Sequence, residues 1–131
     1  MSTSTQLRVI ALLLAAQVLE STACGETPSP YAGTYAATTV AVSWSAPYLK
    51  PECEKDFTIT VNSRGGVQVG ALTTTLDAGN CFSVATLPNT IISIHGCFTL
   101  DDEGRPSGAG TYLYYHPGTG ECLADWSAVR Q

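Results

Sequence analysis

Apolar and polar side chains alternate in short runs along this chain. The clearest run is Phe57-Thr58-Ile59-Thr60-Val61-Asn62, in which every second residue is apolar. A period of two is that of a strand with one face buried and one in water. The Arg64-Gly65-Gly66 turn then leads into Val67, Val69 and Ala71 with the same phase. Residues 35–44 form an earlier strand that sets Val40, Val42 and Trp44 on one face. Further strands are expected over 81–86, 90–100, 109–115 and 122–129, the last two joined by a Pro117-Gly118-Thr119-Gly120 turn. Turn residues return roughly every eight to twelve positions, and no helical period of useful length interrupts them. The pattern predicts an all-β domain. Its strands, about seven and short, form an antiparallel meander that curls into a small barrel or a two-layer sandwich, with no helix beyond two turns.

The first residues follow another rule. After Arg8, an apolar run covers residues 9–16 and continues through Val18 and Leu19. About ten apolar residues are too few to span a bilayer, which needs roughly 20, but they suit the core of an export signal. Ser21, Thr22 and Ala23 are the small residues that an export peptidase reads, and Cys24 follows at once. This stretch resembles bacterial lipoprotein precursors. Ala23 and Cys24 occupy the last two positions of that family's box, while Ser21 stands where the family usually carries Leu. The resemblance covers residues 1–30. It implies cleavage at Ala23–Cys24, lipid on Cys24, and a membrane as the first partner. The chain then divides into a signal peptide (1–23), a polar tether (24–30) and a β domain (31–131). Within the domain, Gly33-Thr34-Tyr35 is similar to the Gly-x-Trp opening of lipocalin-like barrels, with Tyr in place of Trp; three residues imply no ligand set.

The five cysteines are Cys24, Cys53, Cys81, Cys97 and Cys122. An odd thiol in an exported protein calls for an explanation. A thioether at Cys24 leaves an even set for two bridges. Hairpin register ranks the pairings. Phe82 and Val84 on one strand and Ile92, Ile94 and Phe98 on the next can share a face only if an odd number of residues forms the loop, because a slip of one flips every side chain. A loop of Pro88, Asn89 and Thr90 satisfies this, and it opposes Ser83 to His95 and Cys81 to Cys97. Directly opposed cysteines lie within bridging range. Cys53 and Cys122 then pair by elimination, both pointing at the core rim. The sequential alternative, Cys53–Cys81 with Cys97–Cys122, remains open.

Charge and candidate chemistry narrow the function only modestly. The formal net charge is −5, from 11 acidic and six basic residues. Such a balance excludes nucleic acid as a partner, since binding its phosphates needs clustered Lys and Arg. His95 and His116 are the only histidines. With no Cys or carboxylate at ligand spacing they make no metal site. His95 is expected on the outer face beside the cysteines, and His116 at a turn before Pro117. Asp101-Asp102-Glu103-Gly104 lacks the alternating ligands of a calcium loop, since Arg105-Pro106-Ser107 follows, and reads as a solvated hairpin tip. Gly108-Ala109-Gly110 and Gly65-Gly66 precede no helix and cradle no phosphate. No serine sits in a nucleophile elbow. Tyr112, Tyr114 and Tyr115, with Trp44 and Trp126, are candidates for a sugar or peptide site. The expectation is a lipid-anchored envelope protein whose β domain binds or scaffolds, without cofactor, metal or catalysis. The alternative is a freely secreted β domain that binds a hydrophobic ligand or inhibits a partner enzyme.

Overall fold

The computed structural model describes residues 27–131; the leader and Cys24 lie outside the described residues. Eight strands build one antiparallel sheet: β1 (Gly33–Trp44), β2 (Asp56–Val61), β3 (Gly66–Val69), β4 (Leu72–Thr75), β5 (Cys81–Ala85), β6 (Ile91–Leu100), β7 (Pro106–His116) and β8 (Gly120–Arg130). Their order is β4-β3-β2-β1-β8-β7-β6-β5. Each strand therefore lies beside its sequence neighbour, and the first pairs with the last. Only the seam between β4 and β5 lacks a ladder, so the meander closes nearly completely into a barrel.

Alternation sorts the wall as the period of two requires. On β2, Ile59 and Val61 are buried while Thr58 and Thr60 face water. On β8, Cys122, Ala124, Trp126 and Ala128 point inward, and Glu121, Leu123, Asp125, Ser127 and Val129 point outward. At the turn into β3, Asn62 Oδ1 accepts from the Arg64 and Gly66 N–H groups at 2.9 and 2.8 Å, fixing the hairpin. The interior is aromatic. Phe98 packs on Tyr35 with ring centroids 4.7 Å apart and on Phe82 at 5.9 Å, and Trp126 meets Phe57 at 5.8 Å. Among the described residues, no polar or charged side chain is buried.

Both ends are stoppered. At one, which we call the lid end, a helical turn (Pro47–Leu49) runs into α1 (Lys50–Cys53) and lowers Leu49 and Cys53 into the barrel. Cys53 bonds Cys122 on β8 across a sequence separation of 69. At the other, the tether end, Ser29 N–H donates to the Ser63 carbonyl at 2.7 Å, and buried Tyr31 stacks near Phe98 at 6.0 Å. Tyr35 Oη donates to the Tyr31 carbonyl at 2.7 Å, tying strand to stopper. Cys81 bonds Cys97 within the β5–β6 hairpin.

The sequence reading needs three corrections. Val40, Val42 and Trp44 do not share a buried face. Ala41 sits at φ 54, the β1–β8 register shifts between Val40 and Ser43, and this bulge leaves Val40 52% and Trp44 42% exposed. The inward residues of β1 are instead Tyr35 and Ala37, with Val42 partly buried. The run through Val67 and Val69 does not continue to Ala71, because Gly70 at φ +59 turns the chain. An eighth strand, β4, follows, so the expected seven fall one short. The architecture is a barrel rather than a sandwich.

Candidate binding surface

The β5–β6 hairpin has the predicted parity. Cys81 opposes Cys97, Ser83 opposes His95 and Val84 opposes Ile94. Phe82, Val84, Ile94 and Phe98 are buried, Ile92 is partly so, and Ser83 and His95 face water. Of the two open pairings, the structure holds Cys81–Cys97 with Cys53–Cys122. Two structural bridges belong to an oxidising, extracytoplasmic environment.

The aromatic candidates are not brought together. Tyr112 and Trp126 are core, Tyr114 packs against the core, Tyr115 lies on the outer wall, and Trp44 stands at the rim of the lid end. They cannot line one sugar or peptide site. Trp126 in particular is spent on packing. Its indole N–H donates to the carbonyls of His95 and Thr111, both at 3.1 Å. Glycines open the space for it. A Cβ on Gly96 would stand 2.2 Å from the indole, and one on Gly108 would stand 2.9 Å from Phe98. Gly96 and Gly108 therefore serve the tryptophan and its neighbour, whereas Gly110 faces the backbone of β6.

The remaining candidates resolve as turns. His116 ends β7, and its Nδ1 lies 3.0 Å from Thr119 Oγ1 across the Pro117-Gly118 corner. Asp101 Oδ1 accepts from the Glu103 and Arg105 N–H groups at 2.9 and 2.8 Å, and Oδ2 meets Arg105 Nε at 2.9 Å. The Arg105 backbone bond, with the guanidinium adding to it, holds the Asp101 carboxyl below its ordinary value. Asp101 is thus committed to closing a hairpin, and Glu103 Oε1 accepts from Arg105 Nη2 at 2.9 Å. Among the described residues no group of His, Cys, Asp and Glu gathers as a metal ion would need, and no helix is long and apolar enough to cross a membrane.

The outer wall offers more. Outward positions on β1, β6, β7 and β8 carry two carboxylates, Glu121 and Asp125, and no Lys or Arg. Across its middle runs a polar row in which His95 opposes Thr111 and Thr111 opposes Asp125. Toward the lid end the wall turns apolar. Ile91 opposes Tyr115, Leu113 opposes Leu123, and Val40 opposes Asp125 beside them. Leu123 is 43% and Tyr115 37% exposed. Charge returns at the margins: at Lys55 and Asp56 flanking β1, at the lid, and at Arg130 and the Asp101–Arg105 turn at the tether end. At the lid, Lys50 Nζ lies 5.6 Å over the Trp44 ring. A groove of about 450 Å³ beside Trp44 is lined by Ser45, Glu121 and Leu123 among others. Sequence reading missed this wall because each strand contributes only one or two apolar outward residues; they become a patch only once the register is known.

Comparison with protein-family models, with curated proteins and with solved structures finds no match to this chain.

Proposed function

We propose that this chain is exported, anchored through lipid on Cys24, and works in the cell envelope as a non-catalytic binding or scaffolding domain that engages its partner by its outer surface. The observation that carries the surface-mediated part is the filled interior. Tyr35, Phe82, Phe98 and Trp126 occupy the volume where barrels of this kind would hold a small molecule, and Leu49 and Tyr31 stopper the two ends. Recognition then falls to the wall and the lid. Support for export comes from the two bridges, which need an oxidising compartment, and from the apolar leader ending at Ala23. Support for the lipid comes from Cys24, left over once Cys53–Cys122 and Cys81–Cys97 are paired. A thioether at Cys24 with two or more acyl chains holds a protein to a bilayer effectively for good.

Fractionation of an exporting bacterial host tests this. The wild type is expected in the membrane fraction, with acyl mass on an N-terminal Cys24 peptide, and the Cys24→Ser chain in the soluble fraction. Wild-type protein recovered soluble, with a free N-terminal Cys24, overturns the anchor.

A further inference from the structure

We infer that the Cys81–Cys97 bridge is a redox switch on the β5 edge of the barrel: an exported dithiol partner reduces it while Cys53–Cys122 stays closed, and β5 then loosens from the wall. The first observation is the unequal placing of the two bridges. Cys53 is 0% and Cys122 1% exposed, the one lowered into the barrel by the lid and the other inward on β8. A thiolate must touch a sulfur to exchange with it, so that bridge is out of reach while the lid is down. Cys81 and Cys97 are partly exposed on the outer wall. Ala109 opposes Cys97 on β7, and Ser83, His95 and Thr99 lie two residues away along the strands, so no large apolar side chain borders the bridge on these sides. Gly79 brings no side chain over it either; a Cβ there would stand 3.9 Å from Cys81 Sγ.

Second, the bridge fastens an edge strand. β5 has a ladder on β6 alone, and its other edge meets β4 across the open seam. At the lid end of the hairpin, Thr86 N–H donates to the Ile92 carbonyl and Ile92 N–H to Thr86 Oγ1, both at 2.9 Å. At the tether end, the Cys81 N–H and carbonyl bond to Asp77 of the preceding loop rather than to a strand. Beyond the ladder itself, the Sγ–Sγ bond and one hydrogen bond, from Phe98 N–H to the Asn80 carbonyl at 2.9 Å, tie this end to β6. Phe82 and Val84 are the residues that β5 lays on the core. Opening the bridge therefore frees a strand supported on one side only, and with it the cover over that part of the interior. Cys53–Cys122 and the β1–β8 ladder still hold the rest.

The dithiol balances the exchange. One of its thiolates attacks an exposed sulfur, the Sγ–Sγ bond breaks, and the electron pair leaves on the other sulfur, which takes a proton. The second thiolate of the partner then attacks the mixed disulfide and releases the remaining cysteine. Two electrons and two protons pass to Cys81 and Cys97, and the partner ends as a disulfide. An exposed bridge is of the labile kind that such exchange regulates. Nothing in the step requires lipid on Cys24.

Graded reduction of the folded full chain carrying Cys24→Ser tests this. The substitution removes the odd thiol, so no internal thiol can shuffle the bridges. Dithiothreitol is the probe, at about pH 8 without denaturant, followed by iodoacetamide and peptide mapping. Label on Cys81 and Cys97 is expected at dithiothreitol levels that leave Cys53–Cys122 intact. Amide exchange of that half-reduced form should quicken about tenfold or more in β5, with β1 and β8 keeping their protection. Both bridges opening together, Cys53–Cys122 opening first, or neither opening until urea is added overturns the inference. So does selective reduction that leaves β5 exchange unchanged or that quickens β5 and β8 alike.

Discussion

Gly110 opposes Gly96 on β6 and Trp126 on β8. A Cβ there would stand 1.8 Å from the His95 carbonyl oxygen, a backbone atom that cannot swing aside. Gly110→Ala is therefore expected to cost about 3 kcal/mol or more, read as a lower urea midpoint at unchanged slope, since overpacking that forces the backbone to move sits at the high end of its range. Gly118→Ala meets nothing within 4 Å but holds φ +80, and should cost about 1 kcal/mol. Tyrosines give a second residue-scale test. Burial raises the Tyr35 phenol above the ordinary 10.0, with Arg130 opposing it and Tyr31 assisting. Burial, then Glu52, raises Tyr112 likewise. The folded chain thus holds these protons more tightly than the unfolded one. The resulting stability is whole below pH 10.0 and is lost as pH rises through the folded values. Urea midpoints followed from neutral pH upward should fall beyond about pH 10, and Tyr112→Phe should flatten the fall.

Among elements, the β5–β6 hairpin was the most legible. Its apolar positions on two adjacent strands admit one loop parity, and a Pro88–Thr90 loop of that parity sets Cys81 opposite Cys97, the register that the structure holds over the sequential alternative. The bulge in β1 was not legible, since nothing about an alanine at position 41 announces a positive φ. Nor was β4, whose Leu72-Thr73-Thr74-Thr75 holds a single apolar residue and is a strand because β3 pairs with it. The lid had no signature either; Leu49 is buried by what lies beneath it rather than by a helical period. The two bridges should differ in weight. On the loop-entropy account, replacing both Cys81 and Cys97 by Ser costs about 3 kcal/mol and replacing Cys53 and Cys122 by Ser about 4 kcal/mol, because the second closes the longer loop. The first bridge lies outside the core and leaves no cavity. Phe98→Ala, among Tyr31, Tyr35 and Phe82, should cost about 3–5 kcal/mol through the cavity it opens. Thermal or urea unfolding of the three variants checks the order.

For the whole molecule, the closing pair is β1 with β8. Their ladder runs from Tyr35 opposite Arg130 to Trp44 opposite Cys122, and Gln131 N–H reaches back to the Thr34 carbonyl at 2.8 Å. Deleting residues 120–131 removes Trp126 from the core and one neighbour from each of β1 and β7. Such a chain should lose its cooperative transition and its protease resistance together; retention of either would show that the barrel does not depend on closure. The same pairing bears on timing. A polypeptide is made, and crosses any channel, with its N-terminus first. Among the eight strands described, β1 is then the first out and the last to be enclosed, because its second neighbour is β8. Contacts spanning nearly the whole chain form late and at high entropic cost. Order of emergence and order of closure therefore run in opposite senses, and the connectivity of the barrel keeps it open until β8 has threaded.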